Sequence, residues 1–312
     1  MIICEIRVPT YKRPHLLMEA LQSLQEQTLK EWQAMVLDDS PEREGEQVVA
    51  DLGDPRIHYR PNATNLGCAL NLDRAFQTGA YIEGEFACVL EDDNLLLPEC
   101  LESNVEELRA KGVSVLLRNQ DVWRLSSGSR IPTGRTTRGS LFRDDVYSDL
   151  DLKAATFFCE GISNGGLFWR CTAKSNMQVG LLVRDSGLQE YCRTVQIVEP
   201  VVFAAKPLAV WSEMSSEQSL RLPPTNRIFS RGIQSLRRSL LKAYGKKLAE
   251  RAVDLARRAN MQAQCGSALV DAFYLPALFQ LPQTPENLMV VAKSMAKRLF
   301  VSDPLKDYLA VK

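Results

Sequence analysis

Four consecutive polar residues, Glu91-Asp92-Asp93-Asn94, follow the apolar run Phe86-Ala87-Cys88-Val89-Leu90 and precede Leu95-Leu96-Leu97-Pro98. Clustered carboxylates at the end of a buried strand are costly unless a cation or a polar ligand lies beside them. Hard oxygen ligands suit Mg²⁺ or Mn²⁺, and in open α/β sheets ligands bind at the carboxyl ends of the strands. The stretch therefore predicts a site for a divalent metal and a diphosphate. A solvated acidic turn that caps a helix beginning near Pro98 would fit the same residues.

Three other polar segments lie where strands are predicted to end. Val8-Pro9-Thr10-Tyr11-Lys12-Arg13-Pro14 follows a first strand, Val36-Leu37-Asp38-Asp39-Ser40 ends a second, and Asn65-Leu66-Gly67 precedes a helix that carries Asn71. Because loops after successive parallel strands converge at one crevice, we expect these side chains to face a common ligand. The first loop contains no glycine. This argues against P-loop, dinucleotide and nucleotidyltransferase sites, whose backbone N–H groups close around phosphate.

The elements that position these segments follow from the spacing of apolar residues. Strands are predicted at 2–8, 32–37, 56–60, 86–90 and 113–117, and helices at 14–27, 71–79 and 98–111. This alternation predicts an α/β fold with a doubly wound, mostly parallel sheet. Residues 126–151 are rich in Ser, Gly, Arg, Thr and Asp, which predicts an irregular surface segment or a mobile loop near the site.

Composition narrows the class of protein. The chain has 312 residues, 45% hydrophobic and 24% charged, which predicts one large soluble domain with a smaller appendage. The zero formal net charge argues against a nucleic-acid partner. The eight cysteines show no paired metal-ligand spacing and several lie in apolar runs, as expected in the cytoplasm. Neither a signal peptide nor an apolar run long enough to span a bilayer is predicted.

The order and spacing of these motifs over roughly the first hundred residues resemble the nucleotide-sugar-dependent glycosyltransferases of family 2, which have the GT-A fold. The resemblance implies that Asp39 accepts a hydrogen bond from N3–H of the base, with support from Asp38. It also implies a nucleoside pocket built from the segments named above. Its predicted lining residues are Pro9, Thr10, Tyr11 and Arg13, with Asn65 and Asn71 nearby.

The same resemblance assigns the acidic stretch. Counting back from Pro98, Glu91-x-Asp93 occupies the family's Asp-x-Asp positions, although a glutamate replaces the usual first aspartate. Asp93 is then the expected ligand of Mn²⁺ or Mg²⁺. Asp92 or Glu91 is expected to contact the ribose or the water shell of the metal.

An inverting transfer also needs a carboxylate that takes the proton of the acceptor hydroxyl. In the family this base stands at the start of a helix, downstream of a glycine-aromatic-arginine segment that resembles Gly166-Leu167-Phe168-Trp169-Arg170. Gly166 and Trp169 are therefore candidate acceptor residues. Trp169 could stack on a sugar face or lie in the core.

The helix that carries the base is predicted at 186–194. Aligning on Arg193 places Ser186 and Gly187, which are not carboxylates, where the family has its Glu-Asp pair. The base candidates are Asp185, then Glu190, then Glu160. Asp185 would also fit a plain helix N-cap.

The chain divides by pattern into a GT-A-like domain at 1–225 and a helical region at 226–312, with Pro223-Pro224 between them and another helix after Pro285. The GT-A-like domain comprises a donor half at 1–118 and an acceptor half at 119–225. The first C-terminal helix carries a basic row beside an apolar stripe. The basic residues are Arg231, Arg238, Lys242 and Lys246, and the stripe is Ile233, Leu236, Leu240, Tyr244 and Leu248. This helix either binds an anionic membrane or a polyprenyl-phosphate acceptor, or packs its stripe on the main domain or another subunit.

Together these patterns predict a cytoplasmic, metal-dependent, inverting glycosyltransferase that uses a nucleoside diphosphate sugar, with uridine as the expected base. The acceptor would be a small molecule, a glycan or a lipid-linked hydroxyl compound, in surface polysaccharide or glycan assembly. Attachment to the inner face of the membrane and homo-oligomerisation are open. The alternative is a scaffold that binds nucleotide sugars without catalysis.

Overall fold

The computed structural model describes residues 2–126, 128–139, 141–214 and 225–272, with a few residues between 274 and 296. Four strands and three helices alternate in the first part of the chain. The strands are β1 (Cys4–Thr10), β2 (Trp32–Asp38), β3 (Ile57–Pro61) and β4 (Phe86–Val89), and the helices are α1 (Pro14–Gln25), α2 (Glu44–Leu52) and α3 (Cys68–Ala75). The predicted elements are confirmed here to within a few residues, and α2 is an additional helix.

The second part of the chain adds further strands, of both directions, and further helices. In chain order these are β5 (Leu95–Leu96), α4 (Cys100–Lys111), β6 (Val115–Ser126), β7 (Ser129–Thr136), β8 (Asp145–Tyr147), α5 (Asp149–Ala155), β9 (Leu167–Arg170), α6 (Ser186–Gln196), β10 (Val201–Met214), α7 (Thr225–Ala259) and α8 (Gln262–Asp271).

Among the described residues these strands form one sheet in the order β3-β2-β1-β4-β9-β6-β10-β5, with β7 beside β6 and β8 beside β10. β1 to β4 are mutually parallel, as are β6 and β10, whereas β9 runs antiparallel between β4 and β6. The prediction of a mostly parallel sheet with a C-terminal helical extension is confirmed. The carboxyl ends of β1, β2 and β4 therefore lie at one edge.

Strand side chains alternate between two cores, one on each face of the sheet. On β4, Phe86 and Cys88 pack with α1 and α4, whereas Ala87 and Val89 face the cluster that includes α3, α5, α6 and α7. This alternation is the period-two pattern of a strand. Because both faces are covered, β4 is apolar throughout and is followed at once by the acidic stretch.

The prediction of an irregular or mobile segment at 126–151 is wrong for β7, β8 and the start of α5, whereas the described residues 137–139 and 141–144 are irregular. β7 forms an antiparallel hairpin arm on β6, and α5 begins with a capping box between Ser148 and Asp151. Most β7 side chains face solvent, so the strand lacks the apolar alternation that would have revealed it.

The apolar stripe of α7 packs on the main domain, as one of the two accounts predicts. Ile233, Leu236, Leu240 and Leu248 are buried, whereas Tyr244 is 39% exposed because the helix is kinked at the next residue, Gly245. None of the described helices is long and apolar enough to cross a membrane. The predicted break at Pro223-Pro224 and the predicted helix after Pro285 lie outside the described residues.

Candidate active site

The three predicted loops meet at one edge of the sheet. Thr10, the last residue of β1, is in register with Asp38, the last residue of β2, and the N–H of Asp39 donates to the carbonyl of Thr10 at 3.0 Å. The N–H of Leu90, just after β4, donates to the carbonyl of Arg7 at 3.0 Å. The acidic stretch therefore starts directly beside the loop that follows β1.

Asp92 joins the acidic stretch to that first loop. Its Oδ2 accepts from Thr10 Oγ1 at 2.8 Å and from the Tyr11 N–H at 3.4 Å, and its Oδ1 pairs with Arg13 Nη1 at 3.2 Å. Burial raises the pKa of Asp92 to about 7, and repulsion from Asp93 adds to the shift while Arg13 opposes it. Asp92 thus orders the loop, and its contact with a ribose stays a prediction.

Asp93 faces outward from the same turn. Its side chain is 20% exposed, against 7% for Asp92, and its Oδ2 pairs with Arg13 Nη1 at 2.9 Å. In the part of the chain that the structure describes, no group of three or more His, Cys, Asp or Glu side chains is placed to hold an ion alone. A single outward carboxylate instead suits Mg²⁺ or Mn²⁺ that takes its other ligands from diphosphate oxygens and water.

The two aspartates that end β2 have different surroundings. Asp38 is completely buried and accepts from the N–H groups of Ser40 and Gly45 and from the hydroxyl of Tyr59, at 2.8, 3.0 and 3.0 Å. It holds the turn that carries Asp39, and its support of Asp39 in binding a base stays a prediction.

Asp39 is 3% exposed and accepts three short hydrogen bonds, from Asn62 Nδ2 at 2.7 Å and from the N–H groups of Leu66 and Gly67 at 2.7 and 2.8 Å. These donors offset the cost of burying its charge. A carboxylate has about four acceptor sites, so one site is left for the predicted contact with a base.

Asn65 and Asn71 position this edge of the sheet. Asn65 donates to the carbonyl of Asp39 at 3.1 Å, and Asn71, which is 3% exposed, donates to the carbonyls of Leu37 and Thr10 at 3.0 and 3.3 Å. The amide of Asn71 therefore ties two strand ends together, and its contact with a nucleotide stays a prediction.

Pro9 and Tyr11 differ in how much of each residue is exposed. Pro9 is buried within β1 in register with Leu37, and its place in the lining of the nucleoside pocket stays a prediction. Tyr11 is 39% exposed, so part of its ring can pack against a planar ligand, and Nζ of Lys12 lies 5.7 Å from the ring centroid.

Arg130 was missed by sequence reasoning. This β7 side chain is 9% exposed and donates from Nε to Glu19 at 2.8 Å, and from Nη1 to the carbonyl of Asp93 at 2.8 Å and to Ser212 Oγ. Its buried Nη2 has no hydrogen-bond partner among the described residues. The segment predicted to lie near the site thus supplies a buried cation beside Asp93.

Gly166 and Trp169 are structural residues. A Cβ on Gly166 would lie 2.5 Å from both the Arg118 carbonyl and Ser163 Oγ, so close packing requires glycine there. Trp169 is 7% exposed and its ring stacks on Phe76 with centroids 5.6 Å apart. Of the two predicted roles for Trp169, the core role is confirmed and sugar stacking is wrong.

Gly165, in contrast, lies beside the acidic stretch. A Cβ on Gly165 would stand 3.0 Å from Gln120 Nε2, 3.5 Å from Asn94 Nδ2 and 3.7 Å from Glu91 Oε2. Glu91 itself accepts from Asn94 Nδ2 at 3.0 Å. The loop before β9 therefore brings the second half of the chain to the acidic stretch.

Asp185 is the N-cap of α6, and its Oδ1 accepts from the Leu188 N–H at 2.8 Å. Glu190, within α6, accepts from the Asn164 N–H at 2.9 Å. Arg193 also binds Asn164, through Nη1 to Oδ1 at 2.6 Å. Because Asn164 precedes Gly165, Glu190 is connected to the side of the site that contains Glu91 and Asn94.

Glu160, the third base candidate, lies in the loop before β9, which also contains Asn164. Its Oε2 is 3.6 Å from Nε of Arg138, and burial raises the pKa of Glu160 against the opposing charge of Arg138. Neither of these two buried atoms has a hydrogen-bond partner among the described residues.

Comparison with known proteins identifies the family. The sequence model described as glycosyl transferase family 2 matches residues 5–164. The chain belongs to this family. The matched segment runs from the second residue of β1 past β8 to the loop before β9 and includes the loops that form the donor edge, so the motifs at Asp39 and Asp93 fall inside it.

One curated relative of this family member is the Escherichia coli protein named UDP-Glc:alpha-D-GlcNAc-diphosphoundecaprenol beta-1,3-glucosyltransferase WfgD. It is 23% identical over 120 residues, which cover 38% of this chain and 46% of the relative. The match therefore spans less than half of the relative's length.

Solved structures extend the likeness to the whole fold. S. aureus TarS 1–349, crystallised with UDP-GlcNAc, superposes with a TM-score of 0.59 at 15% identity, over 99% of this chain and 90% of that chain. The crystal structure of the same fragment with UDP gives a TM-score of 0.58 over 95% and 88%. At this identity the likeness establishes the GT-A fold.

The matched segment ends at residue 164, before α6 begins at Ser186. Gly187 stands where a carboxylate is expected, and a Cβ there would lie 3.4 Å from Oδ1 of Asp185. The carboxylate of Asp185 therefore reaches the space that a longer side chain at 187 would enter.

Proposed function

We propose that the protein transfers a sugar from a uridine diphosphate sugar to a hydroxyl group of a glycan or lipid-linked acceptor in polysaccharide assembly, with inversion and with Mg²⁺ or Mn²⁺. The observation that carries the proposal is the joining of two strand-end loops, those after β1 and β4, by buried Asp92, which leaves Asp93 turned outward beside Arg13. The crystal structures of TarS with UDP-GlcNAc and with UDP support it, as does the diphosphoundecaprenol-linked acceptor in the name of the Escherichia coli relative.

The donor half would bind the nucleotide. Tyr11 would pack on the base, Asp39 would accept from it with its remaining lone pair, and Asp93 would hold the divalent ion. The bound ion would neutralise charge on the diphosphate. The guanidinium of Arg13 contacts both carboxylates and would keep them from repelling the donor.

The acceptor half would supply the base. The acceptor oxygen forms a bond to the anomeric carbon as the bond from that carbon to the diphosphate oxygen breaks, and UDP leaves with the electron pair. Asp185 would take the proton of the acceptor hydroxyl. Its carboxylate stands at the start of α6, where the family places its base, and Glu190 is the second candidate.

The test is UDP release from a panel of UDP-sugars with Mn²⁺ or Mg²⁺, together with calorimetric titration of UDP. Asp93→Ala should abolish metal-dependent UDP binding, whereas Asp51→Ala, which removes an exposed carboxylate of α2, should bind as wild type. Binding without transfer for every donor and acceptor would instead identify a non-catalytic scaffold. Equal affinity of the Asp93→Ala variant and the wild type would remove the metal assignment.

A further inference from the structure

The loop between β9 and α6 exposes two consecutive leucines. Leu181 and Leu182 are 73% and 65% exposed, the highest values among the large apolar side chains that the structure describes. Residues 180–184, here called the leucine loop, end one residue before Asp185, the N-cap of α6. Exposed apolar side chains that lie together commonly mark a surface that contacts a protein or a membrane.

Buried contacts on both sides hold the leucine loop in this outward position. The N–H groups of Val179 and Gly180 donate to Asp73 at 2.7 and 2.8 Å, and Asp73 pairs with buried Arg193 at 3.0 Å. On the other side, Gln189 donates to the carbonyl of Val183 at 2.9 Å. Gly180 has a φ of +96°, a conformation that favours glycine and turns the chain outward.

The exposed arginines of this part of the molecule indicate which kind of surface the leucines contact. Arg184 is exposed in the loop itself, and Arg231 is exposed in the second turn of α7. α7 lies against the first turn of α6, since a Cβ on Gly232 would stand 2.3 Å from the side chain of Leu188. The nearest carboxylate in sequence, Asp185, is engaged in capping α6. Apolar side chains beside arginines are the combination that binds the interface of an anionic bilayer.

We propose that the leucine loop inserts Leu181 and Leu182 into the surface of an anionic phospholipid bilayer. Arg193, which anchors Asp73, also binds Asn164, and Asn164 is held by Glu190. The membrane contact and the acceptor side of the site are therefore connected through one buried arginine. A lipid-linked acceptor would reach Asp185 and Glu190 from the bilayer surface, and this part rests on the proposed function.

The experiment is co-sedimentation of the full chain with vesicles of phosphatidylcholine, with or without phosphatidylglycerol. The wild type should bind the anionic vesicles, and the Leu181→Ser/Leu182→Ser variant should bind at least about tenfold more weakly. Val198→Ser is the matched control, because Val198 is 61% exposed just after the opposite end of α6. Arg184→Gln should weaken binding to the anionic vesicles only, and added salt should remove the difference.

The replaced leucines are exposed, so the double variant should unfold at the wild-type temperature and bind UDP with wild-type affinity. If neither protein binds UDP, the proposed function fails while the vesicle result still stands. Equal vesicle binding by the double variant and the wild type, or no binding by the wild type, would overturn the proposal. It would also be overturned if light scattering showed a wild-type dimer that the double variant dissociates, because the leucines would then cover a second copy.

Discussion

Oδ1 of Asp185 lies 3.4 Å from the point where a Cβ on Gly187 would stand, so side chains at positions 185 and 187 would be in contact at the start of α6. The resemblance to family 2 predicts a carboxylate at the second position, where this chain has glycine, and the proposed base Asp185 stands at the first position. The carboxylate of Asp185 also caps the helix, and the two roles are separable by substitution because asparagine and serine are good N-caps.

We therefore expect Asp185→Asn to keep the stability of the wild type and to lose about 10²-fold or more in kcat. The measurement is UDP release under saturating donor, alongside urea unfolding. Adding Gly187→Asp to Asp185→Asn should restore part of the activity, since a Cβ at 187 meets only ordinary contacts of 3.4 Å and more. If the Asp185→Asn enzyme kept the wild-type kcat, the general base would be assigned to Glu190 instead.

Arg130 should position Asp93 for the donor. Lysine at 130 cannot reproduce bonds to Glu19, to the carbonyl of Asp93 and to Ser212, so the acidic stretch would lose a fixed anchor. The Kd of UDP in the presence of Mn²⁺ should rise about tenfold in Arg130→Lys. The matched control is Arg135→Lys on the same strand, whose side chain is 56% exposed. Identical Kd values for the two variants would show that the hairpin does not position the donor.

The donor edge was predictable because its residues follow apolar strands at short sequence distance. A buried strand followed by carboxylates, as in Phe86 to Asp93, can be recognised from the sequence alone. Arg130 was not visible, because its partner Glu19 is 111 residues away in sequence and β7 has no apolar pattern. Tyr244 fits the helical spacing of the α7 stripe, yet the backbone turn at Gly245 exposes it. Sequence periodicity assumes an unbroken helix.

Asp39 should be required for the order of the loop before α3. Asparagine at 39 keeps one acceptor oxygen and places an amide against donors, so at least one of the Leu66 and Gly67 N–H groups loses its partner. The free energy of unfolding should fall by about 1–3 kcal/mol in Asp39→Asn, because a buried donor without a partner carries that cost. Urea unfolding measures it, with the exposed Asp51→Asn as control. Wild-type stability in Asp39→Asn would mean that the loop rearranges to satisfy these groups.

The contact between α5 and α7 should give the protein an acid-sensitive step in stability. Burial acts to raise the pKa of Asp151, but hydrogen bonds from Arg251 and Ser148 outweigh it and hold the pKa below its ordinary value. A carboxylate with a lowered folded pKa contributes stability above its unfolded pKa of about 4, and this stability is lost as the pH falls through the folded value. Asp151→Asn should therefore lower the free energy of unfolding at neutral pH by about 1–3 kcal/mol and flatten its decline below about pH 4.

Urea unfolding of Asp151→Asn and the wild type at a series of pH values tests this prediction. Asp254→Asn is the control, because its pair with Arg257 is exposed on both sides and should contribute little. Parallel acid profiles for Asp151→Asn and the wild type would show that another carboxylate governs the transition.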